Sequence, residues 1–116
     1  MTYYGNPIPA DAMDRISALW AEKPRESMDL LYDVVDDACY FGHPSQSWLD
    51  IELFLQDPRW EHAPLTLLIG ALVITRPLRG RLGAARPRII DLVRVHPDAN
   101  DPENRFDRLV SGLEEP

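Results

Sequence analysis

Residues 65–75 read LTLLIGALVIT, a run without a charged side chain that lies between Pro64 and the pair Arg76-Pro77. Eight of its eleven residues are apolar, so neither a helical nor a strand period leaves a polar stripe on it. The β-branched residues fit a buried strand, but the length of the run and a proline at the first helical position favour a helix. We therefore predict a central helix over about 65–76 that is buried on most sides.

The segments around this run show helical spacing of apolar residues, with prolines and glycines between them. The predicted order is an extended arm, five further helices around the central one, and a frayed end at 114–116. The predicted ranges are 1–9 for the arm, about 11–22, 25–41, 48–56 and 87–95 for four helices, and from about 102 onwards for the last. The expected fold is all-α, a compact irregular bundle of five or six helices forming one domain over 1–116.

Composition and charge narrow the class of protein. The chain has 116 residues, of which 45% are hydrophobic and 27% charged, proportions typical of one folded domain. Its net charge of −7 opposes binding to nucleic acid, and its longest apolar run is too short to cross a membrane. A single cysteine, Cys39, allows no internal disulfide. We expect a cytoplasmic protein without nucleic-acid or membrane partners.

The helix predicted at 25–41 is the most periodic segment and has two different faces. One face is apolar, while the other carries five carboxylates with no Lys or Arg among them. Like charges three or four residues apart destabilise a helix by about 0.2–0.5 kcal/mol per pair. The presence of five acids on one face therefore calls for an explanation outside the helix. Three readings stay open, namely a solvated face, a face neutralised by the arginines of 76–94, and a docking surface for a basic partner. A metal site at Asp33, Asp36 and Asp37 lacks further ligands at a recognisable spacing.

Aromatic residues extend the candidate surface. Trp60 lies in a loop predicted at 58–64, where it is either buried or exposed beside acidic residues; an exposed aromatic would be an interaction residue. The candidate partner-binding residues are Glu26, Asp29, Asp33, Asp36, Asp37, Tyr40 and Trp60. A second loop, predicted at 76–88, holds five arginines and no acid, and either forms internal ion pairs or binds an anion.

Motifs for catalysis are missing from the sequence. The three histidines, His43, His62 and His96, are far apart, and no metalloprotease, nucleophile-elbow or phosphate-loop pattern occurs. A calcium-like stretch at 98–104 has neither the glycine nor the glutamate that an EF-hand needs. We therefore predict a protein that is not an enzyme and that holds no metal or cofactor.

In size, acidity and lack of catalytic motifs, with the segments DLLYDVVDDACYFG and LTLLIGALVITRP, the chain resembles the small acidic cytosolic immunity proteins of bacterial toxin–immunity systems. The resemblance implies an inhibitor that covers a basic toxin surface with its acidic helix, where complementary charge would speed association. It carries over no site residues. The alternative is a small structural or assembly protein that forms a homo-oligomer through exposed Trp48 and Trp60, its acidic residues serving only to solvate it.

Overall fold

The structure, a computed structural model, describes residues 8–41, 44–99 and 105–114. Within these ranges the chain is helical and contains no strand, which confirms the all-α prediction. The six α-helices are α1 (Ala12–Trp20), α2 (Pro24–Phe41), α3 (Pro44–Leu55), α4 (Leu65–Ile74), α5 (Ala85–Val95) and α6 (Arg105–Glu114). Short 3-10 helices occupy Pro58–His62, Arg76–Leu78 and Pro97–Ala99.

The apolar run of residues 65–75 forms α4, which packs against α2, α5 and α6. Its inward side chains, among them Leu67, Leu68 and Leu72, are fully buried, while Val73 is exposed on the remaining side. The helix ends at Ile74 rather than near residue 76, and the chain continues as a 3-10 helix from Arg76. Pro77 contributes to this end because it has no N–H to donate to the Val73 carbonyl. The prediction of a central helix buried on most sides is therefore confirmed.

The contact between α2 and α4 is close because of a glycine. A methyl group added at Gly70 would lie 2.3 Å from the sulfur of Met28, so any larger side chain there would displace Met28. On its other side α2 packs against α1, where the buried Ser27 hydroxyl donates to the Ile16 carbonyl at 2.7 Å. These contacts hold the apolar face of α2 against the core and determine which face is left to solvent.

Two predicted helix starts and one predicted loop also differ from the structure. Helix α3 begins at Pro44 rather than after Ser47, and α5 begins at Ala85 rather than at Pro87. Both prolines lie in the first turn, where a backbone N–H has no helical partner to lose, so neither delays the helix. The loop predicted at 58–64 contains a 3-10 helix, which the side chain of Asp57 caps by accepting from the Arg59 N–H at 2.9 Å.

Some predictions concern parts of the chain outside the described residues. These are the arm at 1–7, the stretch at 100–104 and the end at 115–116, together with Gly42 and His43. The side chains of Cys39, Tyr40 and Trp48 are likewise outside the description. The exposure of Tyr40 and Trp48 therefore stays a prediction.

Candidate protein-binding surface

Helix α2 separates its apolar and acidic residues as the sequence predicts. Its inward face contributes Leu31, Val34, Val35 and Ala38 to the core, and all four are buried. The five predicted acids are all exposed, namely Glu26, Asp29, Asp33, Asp36 and Asp37. At 100° per residue these acids fall within an arc of about 100°, and they extend about 16 Å along the helix axis. The result is a narrow acidic stripe, hereafter the acidic face of α2.

No ion pair of the described chain relieves the repulsion within this stripe. The ion pairs there use other acids, which are Asp14, Asp57, Glu61 and Glu114. No Lys or Arg side chain of the described ranges forms an ion pair with an acid of the acidic face. Asp36 and Asp37 also lie near the C-terminal end of α2, where the helix dipole disfavours negative charge.

The arginines of 76–94 were one predicted source of neutralisation, and two of them serve other parts of the fold. Arg86 is buried and donates to the Leu72 carbonyl at 2.7 Å and to the Thr75 hydroxyl at 2.5 Å, and it pairs with Glu114. Arg88 donates to the Leu55 carbonyl at 2.9 Å, at the end of α3. Both satisfy helix C-terminal carbonyls, a role that the sequence pattern did not reveal.

A third arginine, Arg59, links α1 to the turn that follows α3. Arg59 binds both carboxylate oxygens of Asp57, through Nε at 3.0 Å and through one terminal nitrogen at 2.9 Å, and it also pairs with Asp14 of α1. The side-chain hydrogen bond from Arg59 outweighs the effect of burial and lowers the pKa of Asp57 below its ordinary value of 3.8. The same contact raises the pKa of Arg59, so its guanidinium stays protonated.

The lowered pKa of Asp57 predicts a pH dependence of stability. A carboxyl group whose pKa is lower in the folded state stabilises the fold above its unfolded pKa, and this contribution is lost as the pH falls through the folded pKa. We expect Asp57→Asn, which keeps a capping side chain, to lower the free energy of unfolding by about 0.5–1 kcal/mol near pH 7, because Asp57 is partly exposed.

Urea unfolding near pH 7 and at about pH 3 measures this effect. The difference between wild type and Asp57→Asn should shrink as the pH falls below about 3.8. A difference of the same size at both pH values would mean that the charge of Asp57 has no part in it. Asp11→Asn provides the matched control, because Asp11 is exposed and its side chain caps no backbone N–H.

Trp60 corrects the list of candidate partner-binding residues. Its side chain is fully buried, and its indole N–H donates to the Phe54 carbonyl at 3.0 Å. Its ring packs against Trp20 and Phe54, with centroid distances of 6.0 and 5.9 Å. Of the two alternatives for Trp60, the buried one is therefore confirmed, and its place among the partner-binding candidates is wrong, because the 3-10 helix turns this side chain into the core. Trp60 cannot contribute to a partner interface or to a self-interface.

His96 has structural partners on both ring nitrogens. The Nδ1 atom of His96 accepts the Asp98 N–H at 3.1 Å, so its Nε2 atom donates to the Ala63 carbonyl at 3.1 Å. Within the described ranges, no group of three His, Cys, Asp or Glu side chains has the geometry to hold a metal ion. No helix of those ranges has both the length and the apolar character needed to cross a bilayer. The acidic face of α2 is the surface feature that these contacts leave unexplained.

A comparison with protein-family models, curated proteins and solved structures finds no match to this chain.

Proposed function

We propose that this protein is a non-catalytic binding module of the immunity or inhibitor type, which neutralises a toxin by covering a basic surface with the acidic face of α2. One observation carries the proposal. Five carboxylates lie exposed along one stripe of α2, and none is in an ion pair with a described Lys or Arg. A basic partner supplies the missing countercharge.

The cost of the stripe supports a role in binding. Four pairs of its acids are three or four residues apart, Glu26 with Asp29, Asp29 with Asp33, and Asp33 with both Asp36 and Asp37. Each such pair destabilises the helix by about 0.2–0.5 kcal/mol in the free protein. Residues that lower stability and have no structural partner are typical of functional surfaces. A basic partner removes this repulsion on binding, and the opposite fields of the two surfaces accelerate the encounter.

We expect the triple variant Asp33→Asn/Asp36→Asn/Asp37→Asn to lose partner binding without losing stability. The experiment captures the partner from a native lysate with wild-type protein, purifies it, and measures its Kd for each variant over a range of salt concentrations. If the charges lie in the interface, the triple variant should raise the Kd at least about thirtyfold, corresponding to 2 kcal/mol or more. Its own melting temperature should equal or exceed that of wild type, because three of the four repulsive pairs disappear.

A matched control variant distinguishes an effect of the acidic face on binding from an effect of net charge. Asp11→Asn/Glu22→Gln/Asp91→Asn removes the same three charges from exposed positions outside α2. This control should bind the partner as wild type does. Equal binding by wild type, control and α2 variant would contradict the proposal, as would equal losses in both variants, since net charge would then explain the effect.

Inhibition needs a separate measurement. The captured partner should have a basic surface. Its own activity should fall when an equimolar amount of wild-type protein is added, and it should stay unchanged when the Asp33→Asn/Asp36→Asn/Asp37→Asn variant is added instead. A partner that binds through the acidic face while keeping full activity would support the binding module and contradict its role as an inhibitor.

A further inference from the structure

The acidic face of α2 is bordered by Tyr32 on the side that meets α4. Tyr32 follows Asp29 by three residues and precedes Asp36 by four, so its side chain is next to theirs on the helix surface. At about 100° per residue its direction lies between those of Asp36 and the buried Val35, and Tyr32 is partly exposed. A methyl group added at Gly70 would lie 3.6 Å from the Cε1 atom of Tyr32. The ring of Tyr32 therefore connects the acidic face to α4.

The outward side of α4 continues this surface without charge. Val73 follows Gly70 by one helical turn and is 41% exposed, and Ile69 is partly exposed beside it. From the α2 side, the partly exposed Met28 lies against Gly70. No residue of α4 is charged. Together these side chains form an uncharged surface next to the acidic face, hereafter the apolar strip, which consists of Met28, Tyr32, Ile69 and Val73.

The acidic face and the apolar strip favour different side chains of a partner. Over the acidic face, a Lys or Arg side chain gains an opposite charge. Over α4 the same side chain would lose water without meeting a countercharge, whereas an apolar side chain would remove the exposed part of Val73 from water. A matching partner is therefore basic on one side and apolar on the adjoining side.

An amphipathic helix has this division of side chains, because its apolar and charged residues occupy different sides of one cylinder. The acidic face extends about 16 Å along α2, which corresponds to about three turns of a partner helix. Helices α2 and α4 are in contact, and helical bundles commonly pack a further helix across such a pair. Tyr32 is suited to anchor it, since tyrosine is enriched among the residues that dominate binding energy, and the flexible side chain of Met28 can adjust to it.

We infer that the acidic face of α2 and the apolar strip together bind a basic amphipathic helix of the partner, which places its Lys or Arg side chains over the carboxylates and its apolar side chains on Tyr32 and Val73. The inference rests on the proposed function and adds the kind of element that is bound. A second copy of this chain does not fit, because a two-fold contact through the apolar strip would bring two acidic faces into one interface, where they repel.

Two synthetic peptides of about 18 residues, a length that supports an isolated helix, are the probes. Both consist of the same numbers of leucines and lysines. In the amphipathic peptide the leucines recur at helical spacing on one side, and in the scrambled peptide they are spread around the helix. Calorimetry with the full chain at low salt should give a Kd on the order of 100 μM or tighter for the amphipathic peptide and one at least about tenfold weaker for the scrambled peptide.

Matched double variants decide whether the apolar strip holds the peptide. Tyr32→Ala/Val73→Ala should raise the Kd of the amphipathic peptide at least about tenfold and leave that of the scrambled peptide unchanged. The control, Leu53→Ala/Val95→Ala, truncates two apolar side chains of α3 and α5 that are more exposed than Val73, and it should change neither Kd. Val73→Gln keeps a side chain of similar length at an exposed position, so the fold should persist; it should weaken the amphipathic peptide at least about threefold.

The Asp33→Asn/Asp36→Asn/Asp37→Asn variant distinguishes failure of this inference from failure of the proposed function. If it weakens both peptides while Tyr32→Ala/Val73→Ala and Val73→Gln weaken neither, the acidic face binds basic partners and the inference is overturned. If it weakens neither peptide, the proposed function fails together with the inference. Equal Kd values for the two peptides, equal losses in the control, or a dimer in light scattering that Val73→Gln dissociates would each overturn the inference alone.

Discussion

Trp60→Ala is expected to lower the free energy of unfolding by about 3–5 kcal/mol, the range for truncation of a buried tryptophan. The substitution empties a fully buried site where Trp60 packs between Trp20 and Phe54. It also leaves the buried Phe54 carbonyl without the indole donor. Since domains of this size have about 5–15 kcal/mol of stability, a large part of the total should be lost.

Urea unfolding followed by far-ultraviolet circular dichroism measures this effect without relying on tryptophan fluorescence. Trp60→Phe is the control for the hydrogen bond, because it keeps an aromatic ring but removes the N–H; it should cost about 1–3 kcal/mol. A cost below about 0.5 kcal/mol for Trp60→Ala would be typical of a surface residue and would restore Trp60 as a candidate for partner binding.

Glu114→Gln is expected to cost about 2–4 kcal/mol, although Glu114 is the last residue of α6 and is partly exposed. The reason is its partner, since the Arg86 side chain is only 2% exposed and would keep its positive charge inside the protein without the carboxylate. Breaking one side of a buried ion pair is costly when the remaining charge cannot reach water. Arg86→Met leaves instead a carboxylate that is 32% exposed and that water can solvate.

The comparison of these variants tests which side of the pair is buried. Arg86→Met should cost about 2–3 kcal/mol, chiefly through the lost hydrogen bonds to the Leu72 carbonyl and the Thr75 hydroxyl. The double variant should be less destabilised than the sum of the two single variants, because each loses the same interaction. Strict additivity in a double-mutant cycle by urea unfolding would mean that Arg86 and Glu114 do not interact.

Stability and proposed function make opposite demands on α2. Its apolar face holds the helix in the core through Leu31 and Val35, while its acidic face adds repulsion that the described fold does not relieve. An isolated domain selected only for stability would carry i,i+4 pairs of opposite charge on that face. The two readouts in the acidic-face experiment, stability and binding, are therefore expected to move in opposite directions.

The sequence predicted secondary structure best where one segment carries a strong pattern. The apolar run at 65–75 and the two-faced pattern at 25–41 produced α4 and α2 close to their predicted bounds. Prolines produced the errors, since Pro44 was read as part of a loop and Pro87 as the first residue of a helix, whereas both lie in first turns. Proline is disfavoured in the interior of a helix but tolerated throughout its first turn. A proline in the sequence therefore does not show whether the helix begins at that residue or one to two residues before it.

The candidate protein-binding surface was likewise predictable only where a local pattern determines exposure. The exposure of Asp29, Asp33 and Asp37 follows from helical periodicity once the opposite face is apolar. The burial of Trp60 does not follow from any local pattern, because it depends on where Trp20 and Phe54 lie. No signal in the sequence distinguishes Trp60 from an exposed loop tryptophan.

The sequence by itself determined the helical class, the central helix and which side of α2 meets solvent, because a hydrophobic period is a property of neighbouring residues along one helix. Only the tertiary structure decided which groups the arginines contact. Arg86 meets Glu114 across 28 residues of chain, and Arg88 meets the Leu55 carbonyl across 33. Partners so far apart are chosen by the packing of whole helices, which turns these two arginines inward.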